Sequence, residues 1–149
     1  MRMVCQRVLE ANVTVNNQPV GTIGKGLLVY LGVGTGDTAD DVQFMADKIV
    51  NLRIFADEAG KMNRSALDLG AEVLVISQFT LYANSRRGRR PSFTQAAHPD
   101  VAEPLIEHYV RALQAEGISH VATGLFGAHM RVEIHNDGPV TIILDTDHL

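Results

Sequence analysis

The chain has 149 residues, enough for one domain (residues 1–149) with a sizeable core, and its 46% hydrophobic and 20% charged residues are ordinary for a soluble globular protein. Thirteen Lys and Arg against 17 Asp and Glu give a formal net charge of -4, which excludes polyanion binding over the whole surface and leaves any nucleic-acid contact to a local patch. One cysteine, Cys5, excludes an internal disulfide; the Cys and His residues show no zinc spacing, no apolar run is long enough for a bilayer, and Met1–Glu10 lacks a signal-peptide core, so the expectation is a cytoplasmic protein without metal or cofactor.

Met3 to Val15 reads as extended, with β-branched Val4, Val8, Val13 and Val15. Asn16-Asn17-Gln18-Pro19 is a turn by composition, Val20 to Ile23 a short returning strand, and Gly24-Lys25-Gly26 a second turn. Leu27 to Val33 is a nearly continuous apolar run, which predicts a central strand. After the loop Gly34–Asp37, Thr38 is placed as a helix N-cap with Asp40 and Asp41 in the first turn, and Val42, Met45, Ala46 and Ile49 follow at helical spacing. Leu52 to Phe55 is expected as a short strand, Asp57 to Lys61 as a turn, and Glu72 to Ser77 as a second buried strand. A polar, basic loop runs from Asn84 to Pro91. Pro99 and Asp100 open a second helix with a stripe of Val101, Leu105, Tyr109 and Leu113, and Gly117 ends it. Three extended segments close the chain: Ile118 to Ala122, His129 to His135 and Val140 to Leu144. Asp145, Asp147 and His148 are expected in a frayed C-terminus. The pattern is α+β: mostly antiparallel strands with two main helices.

Two segments stand out. Ser77-Gln78-Phe79-Thr80 places two hydroxyls at the end of a buried strand, where sheet proteins often bind ligands. As nucleophiles, Ser77 or Thr80 would need an adjacent base, and neither a Gly-x-Ser-x-Gly elbow nor a nearby histidine is present. The alternative is that they bond local backbone where the strand ends. In Asn136-Asp137-Gly138-Pro139-Val140-Thr141, Pro139 stands at the entrance of an apolar run. Proline belongs at a strand's first residue or edge, and Gly138 can take backbone angles other residues avoid, so backbone shape is the candidate working part.

Arg86, Arg87, Arg89 and Arg90 surround Gly88 in one loop that begins a few residues after Thr80. The planar guanidinium fork suits phosphate; a solvated surface loop is the other reading. The six histidines are scattered, without metal spacing. His129, Arg131, Glu133 and His135 share one parity of their strand and are expected to face solvent, with Met130, Val132 and Ile134 opposite.

With these residues on view, the chain resembles the D-aminoacyl-tRNA deacylase family nearly end to end. The resemblance runs from Gln6-Arg7-Val8 through Asn51-Leu52-Arg53-Ile54-Phe55, Ser77-Gln78-Phe79-Thr80-Leu81 and Arg89-Arg90-Pro91-Ser92-Phe93 to Asn136–Thr141. The Ser-Gln-Phe-Thr and Gly-Pro motifs are specific in combination and weak singly. The resemblance implies a homodimer with a barrel-like β-sheet core and outer helices. It implies a cis Gly138-Pro139 peptide inserted into the partner subunit's active site, Arg7 bracing that turn, and Phe79, Phe126 and Met130 walling the substrate pocket. Ser77, Gln78, Phe79 and Thr80 would form the catalytic strand end, binding the terminal adenosine and offering backbone N–H groups to the scissile ester. Arg86, Arg87, Arg89 and Arg90 would contact tRNA; neither DNA nor a membrane is an expected partner. The implied reaction is hydrolysis of D-aminoacyl-tRNA as chiral proofreading, with glycyl-tRNA also accepted. A non-catalytic module binding tRNA ends is the rival reading. His129 departs from the Asp usual in the family's Gly-Ala-Asp-Met stretch, and His135 from a small apolar residue.

Overall fold

The computed structural model describes residues 1–148. Its strands are β1 (Arg2–Val15), β2 (Gln18–Ile23), β3 (Gly26–Gly32), β4 (Phe55–Ala56), β5 (Met62–Arg64), β6 (Glu72–Ser77), β7 (Val121–Thr123) and β8 (Arg131–Asp145). Helices α1 (Ala39–Asn51), α2 (Ala66–Leu69) and α3 (Pro99–Ala115) complete it, with 3-10 turns at Phe79–Tyr82 and Thr146–His148.

The long strand β1 organises the sheet. One edge pairs antiparallel with β3 along Arg2–Val8 and with β2 along Ala11–Val15; the other pairs antiparallel with β8. Beyond β3 the pairing becomes parallel, β3 to β6 and β6 to β7, with α1 and α3 in the connections. The sheet curls until its ends meet: His120 Nε2 lies 2.9 Å from the Thr22 carbonyl, and a Cβ on Gly21 would sit 2.6 Å from the Thr123 carbonyl. The result is a nearly closed, barrel-like α+β fold, as expected, though the two parallel pairings were not foreseen.

The continuous apolar runs of β3 and β6 are explained by burial on both faces. Leu27, Val29, Leu31, Val73 and Val75 pack toward α1 and α3, in a core with Met45, Ile49, Tyr109 and Leu113. Leu28, Leu74 and Ile76 point into the barrel with Val8, Val13 and Ile23. Helix α1 begins where its N-cap predicts: the Thr38 N–H donates to Asp41 Oδ2 at 2.8 Å.

Several expectations need correction. Leu52 caps α1, its N–H donating to the Lys48 carbonyl at 3.1 Å, so only Phe55 of the expected Leu52–Phe55 strand is extended. Of the expected α3 stripe, Tyr109 and Leu113 are fully buried and Leu105 packs against the core, but Val101 faces solvent, and Ala102 and Ala112 complete the buried face. Pro19 and Gln18 lie in β2 rather than in the turn, which tightens to Asn16-Asn17, both with positive φ. Ile118 is buried in the connection after α3, ahead of a shorter β7. The last two expected segments are one strand, β8, because β1 is long enough to pair with both. The end of β8 is tied down rather than frayed: the Thr146 N–H donates to the Met1 carbonyl at 3.0 Å, and Arg2 Nε meets Asp145 Oδ2 at 2.9 Å. Among the described residues, no helix is long and apolar enough to cross a membrane.

Candidate active site

Strand β6 ends at Ser77, and the chain turns into the 3-10 segment Phe79–Tyr82. The Gln78 N–H still donates to the Leu31 carbonyl at 2.8 Å, so the turn starts from a fixed point of the sheet. Here opens a cavity of about 770 Å³. Its walls are Ile76, Ser77, Gln78 and Phe79 from β6 and the turn, Pro99, Ala102 and Ile106 from α3, and Phe126 to Met130 before β8. Phe93 closes one side and Tyr30 lies deeper, where burial raises the pKa of its phenol. A largely apolar hollow with a few polar groups at one end is the usual form of a small-ligand site.

The hydroxyls at this end have no base. Thr80 Oγ1 accepts a hydrogen bond from Gln78 Nε2, and among the described residues neither Ser77 nor Thr80 bonds a histidine or carboxylate. Cys5 is buried in the core, its thiol pushed up to about 12 by desolvation, and offers no nucleophile. What the turn does offer is backbone. The first N–H groups of a 3-10 turn, here those of Phe79 and Thr80, have no partner within it. No group of three or more Cys, His, Asp or Glu among the described residues could hold a metal.

The arginine loop follows directly. Antiparallel bridging between Asn84 and Ser92 closes its neck, with N···O distances of 2.8 and 3.0 Å. Arg86, Arg87, Arg89 and Arg90 are exposed beyond it, and Gly88 turns the tip with φ +71°. None of the four makes an ion pair among the described residues. On leaving the neck the chain delivers Phe93 to Phe79, ring centroids 5.2 Å apart and planes at 69°.

The Gly138-Pro139 segment is built differently. Gln6 pairs with Thr141 and Val8 with Asn136, so Arg7 alone opposes the four residues 137–140, and these bulge out of β8. The Gly138-Pro139 peptide is cis, Gly138 has φ +127°, and both residues are exposed. Three contacts shape the bulge. Arg7 Nε lies 3.0 Å from Asp137 Oδ2, and its other end donates to the Ile54 carbonyl at 2.6 Å. Asn136 Nδ2 donates across the neck to the carbonyls of Arg7 at 2.9 Å and Val140 at 3.2 Å. A Cβ on Gly138 would lie 2.8 Å from Val140 Cγ2 and 3.2 Å from an Arg7 guanidinium nitrogen, so this position requires glycine twice over.

Of the residues singled out from sequence, Ser77, Gln78, Phe79, Phe126 and Met130 therefore meet in one cavity. Thr80 stands at its rim turn, the arginines lie beyond Phe93, and Arg7, Gly138 and Pro139 form the separate bulge. His129 and His135 are exposed as expected; His129 also borders the cavity, and His135 Nδ1 lies 3.2 Å from Glu10 Oε1. Sequence reasoning gave no role to Tyr30, Ala102 or Ile106, which look like ordinary core residues of a strand and a helix. Tyr30 alone left a signal, a phenol inside an otherwise apolar run.

The D-Tyr-tRNA(Tyr) deacylase family model matches residues 4–145. A D-aminoacyl-tRNA deacylase of Roseiflexus castenholzii is 58% identical over 146 residues, covering 98% of this chain and 92% of that protein. One from Thermotoga petrophila is 56% identical over 149 residues, covering 100% and 99%. Among solved structures, the c-Myc DNA Unwinding Element Binding Protein superposes with TM-score 0.93 at 40% identity, covering 98% of this chain and 99% of that one. A probable eukaryotic D-amino acid tRNA deacylase shares the fold, with TM-score 0.83 at 18% identity. The chain belongs to the D-Tyr-tRNA(Tyr) deacylase family.

Proposed function

We propose that the protein hydrolyses the ester joining a D-amino acid to the 3′ end of tRNA, releasing free D-amino acid and reusable tRNA. The observation that carries this reading is a cavity with backbone donors at its edge, strand-end hydroxyls that bond no histidine or carboxylate among the described residues, and a cationic loop joined in the chain to the cavity-lining Phe93, in a chain of this family. An aminoacyl ester is already labile, so positioning together with a preorganised pair of N–H groups can suffice. In this reading the N–H groups of Phe79 and Thr80 receive the developing oxyanion, and a neighbouring ribose hydroxyl assists the attacking water. Ser77, Gln78, Phe126 and Met130 hold the terminal nucleoside, and Arg86, Arg87, Arg89 and Arg90 meet its phosphates.

Selection by handedness is assigned to the bulge. Gly138 and Pro139 do not line the cavity of their own chain, so we place them in the cavity of a second copy, in a homodimer. Their carbonyls would accept hydrogen bonds from the substrate's amino group and leave no room for an L side chain, with Arg7 bracing the turn. A filter that acts only by exclusion passes glycyl-tRNA. The role is proofreading of translation in the cytoplasm. The test is release of labelled tyrosine from D- and L-tyrosyl-tRNA by catalytic amounts of protein: rapid release from the D ester only supports the reading, and equal rates refute it.

A second reading is a nucleic-acid-end binding module without turnover, favoured by the DNA-binding name of a structurally similar protein. Stoichiometric binding of tRNA without release of amino acid would establish it.

A further inference from the structure

Phe79 and Phe93 are large apolar side chains left exposed at the mouth of the cavity, 55% and 36% accessible respectively. They touch edge to face, so most of their ring faces are not occupied by each other. Phe93 follows immediately after Ser92, whose bridge to Asn84 closes the arginine loop. The aromatic pair thus lines the cavity, and the bridged loop that carries the cations starts and ends beside that pair in the chain. A single-stranded nucleic-acid end laid along that path meets a hollow for its last nucleoside, then a pair of rings, then charges for phosphates further back. Exposed aromatic faces beside a cationic track are the usual means of holding unpaired bases.

We infer that Phe93, with Phe79, stacks on the penultimate base of the RNA end while the terminal nucleoside occupies the cavity. The inference rests on the deacylase reading and names a further binding residue for it. It explains why the loop neck is bridged, since bridging fixes Phe93 relative to both the arginines and the cavity. The stacked base sets the reach of the terminal nucleotide, so Phe93 matters more for substrates with a penultimate base than for shorter ones, which meet it only as cavity wall.

The test compares wild type, Phe93→Leu and Phe93→Trp on D-tyrosyl-tRNA, on D-tyrosyl-adenosine, and on D-tyrosyl-tRNA with an abasic penultimate nucleotide. Phe93→Leu is expected to lower kcat/KM on the intact tRNA about tenfold, the size of a base–aromatic stack. The loss on D-tyrosyl-adenosine should be clearly smaller, because leucine still closes that side of the cavity, and the turnover retained there shows that the variant is folded. Phe93→Trp should restore the rate. The abasic tRNA should be poorer for wild type by the same factor, with no further loss in Phe93→Leu. Equal losses on tRNA and adenosine, additive losses with the abasic tRNA, or no loss at all would overturn the inference. A binding arm separates this from failure of the deacylase reading. An uncharged RNA hairpin ending in CCA, with 2-aminopurine at the penultimate position, should be quenched by wild type and not by Phe93→Leu. That result stands even if no D ester is cleaved; absence of quenching by wild type overturns the stack.

Discussion

The cavity at the end of β6 is concave, largely apolar, and walled by elements whose other sides are buried in two cores. The bulge at residues 137–140 is convex and exposed, and its shape rests on an ion pair and a few hydrogen bonds around Arg7 and Asn136. The two regions should respond to change differently. The cavity can absorb small alterations by moving flexible side chains, whereas the bulge presents its backbone and tolerates little. A hollow and a projection on the same chain that do not serve each other also fit two copies that complement one another.

The largest expected effect is at the bulge. Gly138→Ala puts a Cβ against Val140 and Arg7 at a positive φ, displacing the carbonyls by a fraction of an ångström or more. Turnover of D-tyrosyl-tRNA should fall about a hundredfold, as expected when positioning is lost. Mixing this variant with Phe79→Ala should recover part of the activity through hybrid dimers. A fully active monomer, or no recovery, would break the complementarity.

Neutralising Arg86, Arg87, Arg89 and Arg90 together should weaken tRNA binding and flatten its dependence on salt, the slope of log K against log salt dropping by up to about 3 for four single-strand phosphate contacts. An unchanged slope would return the loop to a solvated surface. Thr80→Ala should keep activity within about tenfold, or about 1.4 kcal/mol, because the backbone N–H survives. A loss of several orders of magnitude with a trapped acyl-enzyme would make Thr80 a nucleophile.

Gly124→Ala probes the cavity wall indirectly, through Met130, which lines it. The added Cβ would press on Met130 Sδ, but a thioether is mobile, so the fold should survive and KM should rise while kcat changes little. Equal damage to both would show the wall to be as unforgiving as the bulge.

The smallest effect is at acid pH. Asp57 accepts from the N–H groups of Ala59 and Lys61 and from Asn63, and its carboxyl pKa is held down chiefly by the Lys61 backbone bond. A depressed folded pKa means this support is complete above the ordinary carboxylate value and disappears as pH falls through the folded one. Hydrogen exchange should then show the β4–β5 hairpin loosening at low pH before the cavity does. Because the Ile54 carbonyl, just before β4, holds Arg7, loss of amide protection there should spread to the bulge.

Sequence by itself determined the α+β class, most element positions, and the two segments that matter. Local chemistry dictates these: Thr38 and Asp41 cap α1, Gly88 turns the arginine loop, and alternation puts His129 and His135 outward with Met130 inward. It could not separate one β8 from two strands, because that depends on how far β1 extends as a partner. It misjudged only the first turn of α3's buried face, where Ala102 rather than Val101 turns inward, while Tyr109 and Leu113 are buried as their spacing predicts. Only the tertiary structure decided which singled-out residues share a cavity. Contacts such as Phe79 with Phe93, or Arg7 with Ile54 and Asp137, join positions far apart in the chain, and nothing in local propensity encodes them. The N–H groups of Phe79 and Thr80 are the sharpest case, since a free backbone donor has no residue type. It exists only because the strand stops and the chain turns where it does.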